Sequence, residues 1–224
     1  MKKILLPLLC CLMATSCLKD AGFTVTNFTD FAISYKGMLV TDNGYQLTVT
    51  QNESGSDAWK TEGERFYILC DILNRNLEIN LKSLTPVDIV HPNSYTEAEN
   101  EPDDPVDVFD HSISGGYINL AMNVFGAPYA DKDHKITFYY SSNELQDEFT
   151  FYVLHQGNHE NPAFMDEKKL ETQKLEFSIP LWDLLKKNTP TKLNLCLYQL
   201  KKDEAGKYIV EKNTYPLHTG SIVL

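Results

Sequence analysis

The chain has 224 residues, a formal net charge of −11, 42% hydrophobic residues, 12 tyrosines and 11 phenylalanines. That composition excludes a disordered chain, and the acidic balance excludes the basic footprint of a nucleic-acid binder. The length suits one large domain or two small ones.

The first residues carry an address. Met1-Lys2-Lys3 is a short cationic start, and Ile4 to Met13 is an apolar run too short to span a bilayer but suited to a signal-peptide core. Ala14-Thr15-Ser16 then set small residues directly before Cys17. This resembles a bacterial lipoprotein signal, although Ala14 stands where an aliphatic residue is usual. Residues 1–16 are expected to leave as a signal peptide, and Cys17 to become the lipid attachment site at the head of a tether over 17–28. Ordinary cleavage with a free Cys17 is the alternative. Acyl chains would anchor the protein stably, since each buried methylene contributes about 0.8 kcal/mol. The expected location is the bacterial cell envelope, on the outer membrane, with the face left open.

Five short strands are expected next. Phe31 to Tyr35 alternates and continues through Gly37 to Val40; Thr41-Asp42-Asn43-Gly44 is a turn signal, and Tyr45 to Thr50 returns as a hairpin. Arg65 to Leu73 is apolar on both faces, as a central strand would be. Leu77 to Leu84 alternates, Thr85-Pro86 breaks it, and Val87 to Val90 makes a short fifth. Five strands in about sixty residues suggest a small barrel, of which the oligomer-binding (OB) type is the commonest. An OB-like β-barrel domain is expected over 29–92.

Residues 93–105 read as an acidic linker. Glu97, Glu99, Glu101, Asp103, Asp104, Asp107 and Asp110 crowd around Pro102 and Pro105, a combination that repels itself and cannot complete a ladder. Beyond it, strands are expected at 106–109, 117–125, 135–141, 148–155, 173–179, 191–200 and 208–214. The clearest is 117–125, where Ile118, Leu120, Met122 and Val124 share one face behind Gly115-Gly116. Such spacing fits a β-sandwich over 106–224. Leu181 to Lys187 is the one helical patch, a connector of one or two turns. The fold class is all-β: an N-terminal five-stranded OB-like barrel followed by a C-terminal β-sandwich.

Several of these features together resemble the NigD-like lipoproteins of Bacteroidetes. They are the lipobox ending at Cys17, Gly63-Glu64-Arg65 leading into a central strand, and Asp104-Pro105-Val106. The strand from Gly116 to Asn119-Leu120, the Asp133-His134-Lys135-Ile136 strand start and the Val153-Leu154-His155 strand end complete the set. The resemblance covers nearly the whole mature chain. It implies the same two-domain arrangement. The family's name, taken from a bacteriocin operon, suggests an immunity role, and no catalytic residues come with it.

Chemistry is sparse. His155 and His159, with Glu160 adjacent, have a zinc-like spacing, yet their flanks are strand and turn and Gln156 stands where a catalytic Glu belongs; solvated turn histidines are the expectation. The acidic run lacks a calcium-loop pattern and reads as solvated. Ser112 beside His111, and Ser114 before Gly115, lack the strand–elbow–helix context of a nucleophile. Cys10 and Cys11 leave with the signal, so Cys70 and Cys196 remain, expected as two separately buried thiols with a disulfide as the alternative. Aromatics are the remaining handle: Trp59, Tyr45 and Tyr67 in the first domain, Tyr117, Tyr139, Tyr140 and Tyr152 in the second, as stacking surfaces or as ordinary packing. Tyr139 and Tyr140 are adjacent, so at least one faces away from the core or lies at an edge.

The expected function is a non-enzymatic binding or interaction module for a protein or glycan. It needs no cofactor, metal or catalytic residue, and meets the membrane through the lipid at Cys17. The alternatives are a bacteriocin-immunity-type lipoprotein and an envelope hydrolase with an unrecognised site.

Overall fold

The structure, a computed structural model, describes residues 23–97, 101–126, 135–143, 145–157, 171–182, 184–185 and 190–221. The expected signal peptide and Cys17 lie outside them. Among the described residues, no helix is long and apolar enough to cross a membrane. The chain divides into two compact units after Pro86.

The first unit is a closed barrel of β1 (Val25–Tyr35), β2 (Met38–Thr41), β3 (Gln46–Asn52), β4 (Arg65–Ile72) and β5 (Glu78–Pro86), in the order β1-β2-β3-β5-β4. Closure leaves no free edge, because β4 pairs with both β5 and β1. Only β3 and β5 run parallel. The OB-like barrel is present, but its strands are divided differently from the expectation. Residues 31–40 are two strands, not one. Lys36 and Gly37 both take left-handed backbone angles (φ 50° and 74°), closing a two-residue hairpin between the paired Tyr35 and Met38. The expected fifth strand at Val87–Val90 leaves the barrel altogether. The expected tether is also shorter than its bounds, since Val25 already pairs with Ile72 and Phe28 with Cys70.

Alternate residues of these strands fill the barrel: Ala32, Leu39, Leu47, Phe66, Ile68, Cys70, Ile79 and Leu81 are fully buried. One charge pair is buried with them. Arg65 Nη1 and Nη2 donate to the two carboxylate oxygens of Asp42 at 2.9 and 2.6 Å. The guanidinium also lies 5.4 Å from the Phe31 ring centroid. The Gly63-Glu64-Arg65 stretch is therefore structural. Gly63 turns with φ 87°, and Ser34 ties the turn down by accepting the Glu64 N–H at 3.1 Å.

The second unit is a two-sheet sandwich. Its strands are β6 (Asp88–Ile89), β7 (Asn93–Ser94), β8 (Val106–Ser114), β9 (Tyr117–Gly126), β10 (Lys135–Asn143), β11 (Glu148–Gln156), β12 (Glu171–Pro180), β13 (Pro190–Lys202) and β14 (Tyr208–Ser221). One sheet has the order β14-β13-β11-β10-β7, the other β6-β12-β9-β8. All seven strands expected beyond residue 105 are there. Asp88–Ile89, expected in the barrel, instead pairs parallel to β12. Asn93–Ser94, expected in an exposed linker, pairs parallel to β10. Both short strands satisfy backbone groups at sheet edges that would otherwise stay open.

The inner faces meet in one apolar cluster. Ile118, Leu120, Met122 and Val124 of β9 pack with Phe151, Val153, Leu193, Leu195 and Leu197, and the Phe138 and Phe177 rings tilt together at 5.0 Å. The patch at Leu181 is a single turn where it is described. The N–H groups of Leu184 and Leu185 both donate to the Leu181 carbonyl, at 3.0 and 2.9 Å. Its leucines face the core as expected.

Candidate binding face

The alternation that fills the sandwich also decides what the five-stranded sheet shows on its other side. Phe138, Phe151, Val153, Leu195 and Leu197 point inward, so Tyr139, Tyr152 and Tyr198 point outward. Tyr139 lies opposite Tyr152 across β10–β11, and Tyr198 opposite Lys212 across β13–β14. Tyr95 follows directly on the short edge strand β7, its N–H donating to the Tyr140 carbonyl at 2.7 Å.

These groups form one cluster. The Tyr95 and Tyr152 rings stack at 3.7 Å with 5° between their planes, and Tyr139 meets Tyr95 edge-on at 6.3 Å. Lys212 Nζ sits 5.7, 5.9 and 5.4 Å from the centroids of Tyr95, Tyr152 and Tyr198, a cation shared by three rings. Glu101 closes the arrangement. Its carboxylate accepts the hydroxyls of Tyr95 at 2.7 Å and Tyr198 at 2.6 Å, and pairs with the Lys212 ammonium.

Those contacts fix the protonation states. Burial, then the Glu101 carboxylate, push the Tyr198 hydroxyl up to about 12 and raise Tyr95 in the same direction. Burial opposes the ionised form of Glu101, but the bonds from Lys212, Tyr198 and Tyr95 outweigh it and hold the carboxyl below its ordinary value. Burial likewise opposes the Lys212 charge, and the bonds to Glu101 and Tyr95 outweigh it, leaving the ammonium harder to deprotonate than usual. These shifts favour an ionised Glu101, a charged Lys212 and protonated Tyr95 and Tyr198 hydroxyls. The arrangement offers ring faces, charge and hydrogen-bonding groups on one sheet face.

The other expected residues divide. Tyr139 and Tyr152 are brought together here, whereas Tyr140 packs against the core. Tyr117 lies on the other sheet, edge-on to Trp182 at 4.7 Å. In the barrel, Tyr45 meets Phe28, Tyr67 meets Phe31 and Trp59 packs on the core; among the described residues no ring contact joins the three. Ser112 and Ser114 accept the Asn119 amide at 3.3 and 3.0 Å, and Asn119 accepts the Ser178 hydroxyl at 2.6 Å, a polar network tying β8, β9 and β12 together.

His155 is a correction. It is fully buried, with Nδ1 3.3 Å from the Pro105 carbonyl, not solvated in a turn. His159 and Glu160 lie outside the described residues. The acidic run is a second correction, because two of its carboxylates bind the sandwich: Glu101 as above, and Asp104, which accepts the Gly157 N–H at 2.6 Å. Among the described residues no three His, Cys, Asp or Glu side chains converge to hold a metal ion. Cys70 and Cys196 are both free and buried. Burial first, then the Asp71 charge, push the Cys70 thiol up to about 11.

Sequence reasoning missed Tyr95, Glu101, Tyr198 and Lys212. Tyr198 carried a signal, since it alternates with Leu195 and Leu197. Glu101 carried none.

The family model for the NigD-like C-terminal beta sandwich domain matches residues 89–210. Among solved structures, a NigD-like immunity protein from Bacteroides caccae is similar over 87% of this chain and 99% of its own, at 17% identity and a TM-score of 0.60. A Bacteroides fragilis protein covers 87% and 99% at 12% identity and a TM-score of 0.56. A protein of unknown function from Bacteroides vulgatus covers 86% and 91% at 16% identity and a TM-score of 0.55. At such identities the likeness is one of fold. No curated protein matches.

Proposed function

The chain belongs to the NigD-like family, and from that premise we propose that it is a non-enzymatic envelope lipoprotein, anchored through Cys17 in the outer membrane, that binds a protein or glycan on the outer face of its five-stranded sheet. The observation that carries this reading is the tyrosine cluster around Lys212 and Glu101. Tyrosine offers large contact area for little lost side-chain entropy, with a hydroxyl for hydrogen bonding.

The test measures retention of the full chain on glycan arrays and on secreted and envelope protein fractions, with Tyr152→Ala and Lys212→Ala alongside. Truncating an aromatic anchor costs on the order of 2 kcal/mol, about thirtyfold in affinity. Wild-type binding that both variants retain in full would sink the proposed face. Digestion of intact cells with an impermeant protease, beside a Cys17→Ala strain, tests the anchor and reports the side of the membrane. A Cys17→Ala protein that still fractionates with membranes is incompatible with it.

A second reading, interception of a toxin at the envelope, draws on the name of the Bacteroides caccae protein. Its test is survival: cells expressing the chain must resist a toxin encoded beside it, and cells carrying Tyr152→Ala must lose that resistance.

A further inference from the structure

At one end of the sandwich, Val106 and Asp107 of β8, Phe125 of β9, Gln199, Leu200 and Lys201 of β13 and Tyr208 of β14 surround a cleft of about 370 Å³. None of them belongs to the tyrosine cluster, so the cleft is a separate feature of the same unit. Its volume is that of a small-ligand site, for which roughly 300–1,000 Å³ is usual. We infer that this cleft binds a neutral polyhydroxylated ring, a single sugar unit.

The polar groups point to that class. Asp107, whose charge also acts on Tyr215, and Gln199 line the cleft with no side-chain hydrogen bond among the described residues, which leaves a carboxylate acceptor and an amide with both donors and an acceptor. Adjacent hydroxyls of a sugar donate to the first and exchange bonds with the second. Phe125 supplies ring surface for the apolar C–H face of a pyranose, Tyr208 adds a second ring that carries Lys202 Nζ 5.0 Å from its centroid, and Val106 and Leu200 complete an apolar wall.

Competing ligand classes fit less well. Lys201 is the one cation lining the cleft, and its Nζ is already held by Glu211 at 2.6 Å and Asn213 at 3.2 Å. Lys202 Nζ lies 5.0 Å from the Tyr208 ring centroid, so Lys201 and Lys202 are balanced by Asp107 and Glu211, and a phosphate or carboxylate ligand finds no net positive charge to hold it. A purely apolar ligand would strip water from Asp107 and return no hydrogen bond. A single lining carboxylate is too few oxygens for a calcium or magnesium ion.

The experiment is an amide-resolved NMR titration of the full chain with glucose, galactose, mannose and N-acetylglucosamine, and separately with glucuronate and inorganic phosphate. The expected result is saturable binding of at least one neutral sugar, with shifts at Phe125, Gln199 and Lys201. Asp107→Ala and Gln199→Ala should each weaken it by about tenfold. Asp107 is exposed on its strand, so its loss should leave the fold intact, and an unchanged spectrum away from the cleft is the check. Tyr152→Ala should leave the sugar affinity unchanged, which separates this cleft from the tyrosine face. Four results overturn the inference. They are no saturation with any neutral sugar, binding of the anions alone, affinity indifferent to Asp107→Ala, and shifts centred on Tyr152 and Lys212 instead of the cleft.

Discussion

Glu101 and Lys212, 111 residues apart in sequence, form an ion pair on the outer face of the five-stranded sheet. The acidic segment and the last strand of the sandwich are joined there. Tyr95, Tyr198 and both charges depend on that single carboxylate for their geometry. Removing it should change stability, pH response and any binding at the face together.

The acid limb follows from the sign of the Glu101 shift. Its carboxyl is depressed in the folded state, so its contribution is present above the ordinary carboxylate range, near 4.3, and is lost as pH falls through the folded value. Glu101→Gln should cost about 1–2 kcal/mol at pH 7, a figure held down because Lys212 is 34% exposed. It should also flatten the decline in melting temperature below pH 5. Equal acid slopes for the two proteins, measured by calorimetry, would show that the pair contributes nothing.

The alkaline limb runs the other way. Tyr198 is raised to about 12, Tyr95 is raised, and Lys212 is raised, so each favours the fold while protonated. Their contribution is complete below the unfolded values, near 10 for tyrosine, and is lost as pH climbs through the folded ones. Melting temperature should therefore fall between about pH 10 and 12. Spectrophotometric titration should find three phenols ionising late, Tyr95, Tyr198 and the buried Tyr215; Tyr198→Phe should remove one of them.

Arg65 and Asp42 carry the corresponding test for the barrel. Their side chains are 1% and 4% exposed, and removing either takes the two-pronged pairing away from a buried charge. Asp42→Ala should cost about 3–5 kcal/mol, whereas the joint change Arg65→Met with Asp42→Leu should cost far less. Urea unfolding followed by Trp59 in a Trp182→Phe background isolates the barrel. A double variant as unstable as the single one would mean that the pair is not the source of the loss.

The sandwich was legible because period two is a local signal. Ile118, Leu120, Met122 and Val124 announce a buried face without reference to any other strand. The same alternation held the outward positions of Tyr139, Tyr152 and Tyr198. Glu101 was not legible: seven acids in a short stretch read as solvated, and its partners lie at residues 95, 198 and 212. The pairings of two-residue strands escape for a related reason. Asn93–Ser94 has no pattern of its own and is a strand only because β10 accepts it, whereas Asp88–Ile89 was legible as a strand but not in its sheet, since its partner in β12 is distant in sequence.

The split of residues 31–40 was legible and was missed. Ala32 and Ser34 face the barrel core, and so do Leu39 and Thr41. Even positions give way to odd ones, which no continuous strand permits, so a turn must fall between them. Lys36-Gly37 is that turn, with both residues left-handed. Asparagine tolerates this conformation better than lysine and a β-branched residue far worse. Lys36→Asn should thus stabilise the barrel by a few tenths of a kcal/mol, and Lys36→Val should destabilise it by about 1 kcal/mol. Chemical denaturation of the three proteins orders them directly, and a Lys36→Val protein as stable as the parent would mean that the hairpin does not hold this geometry.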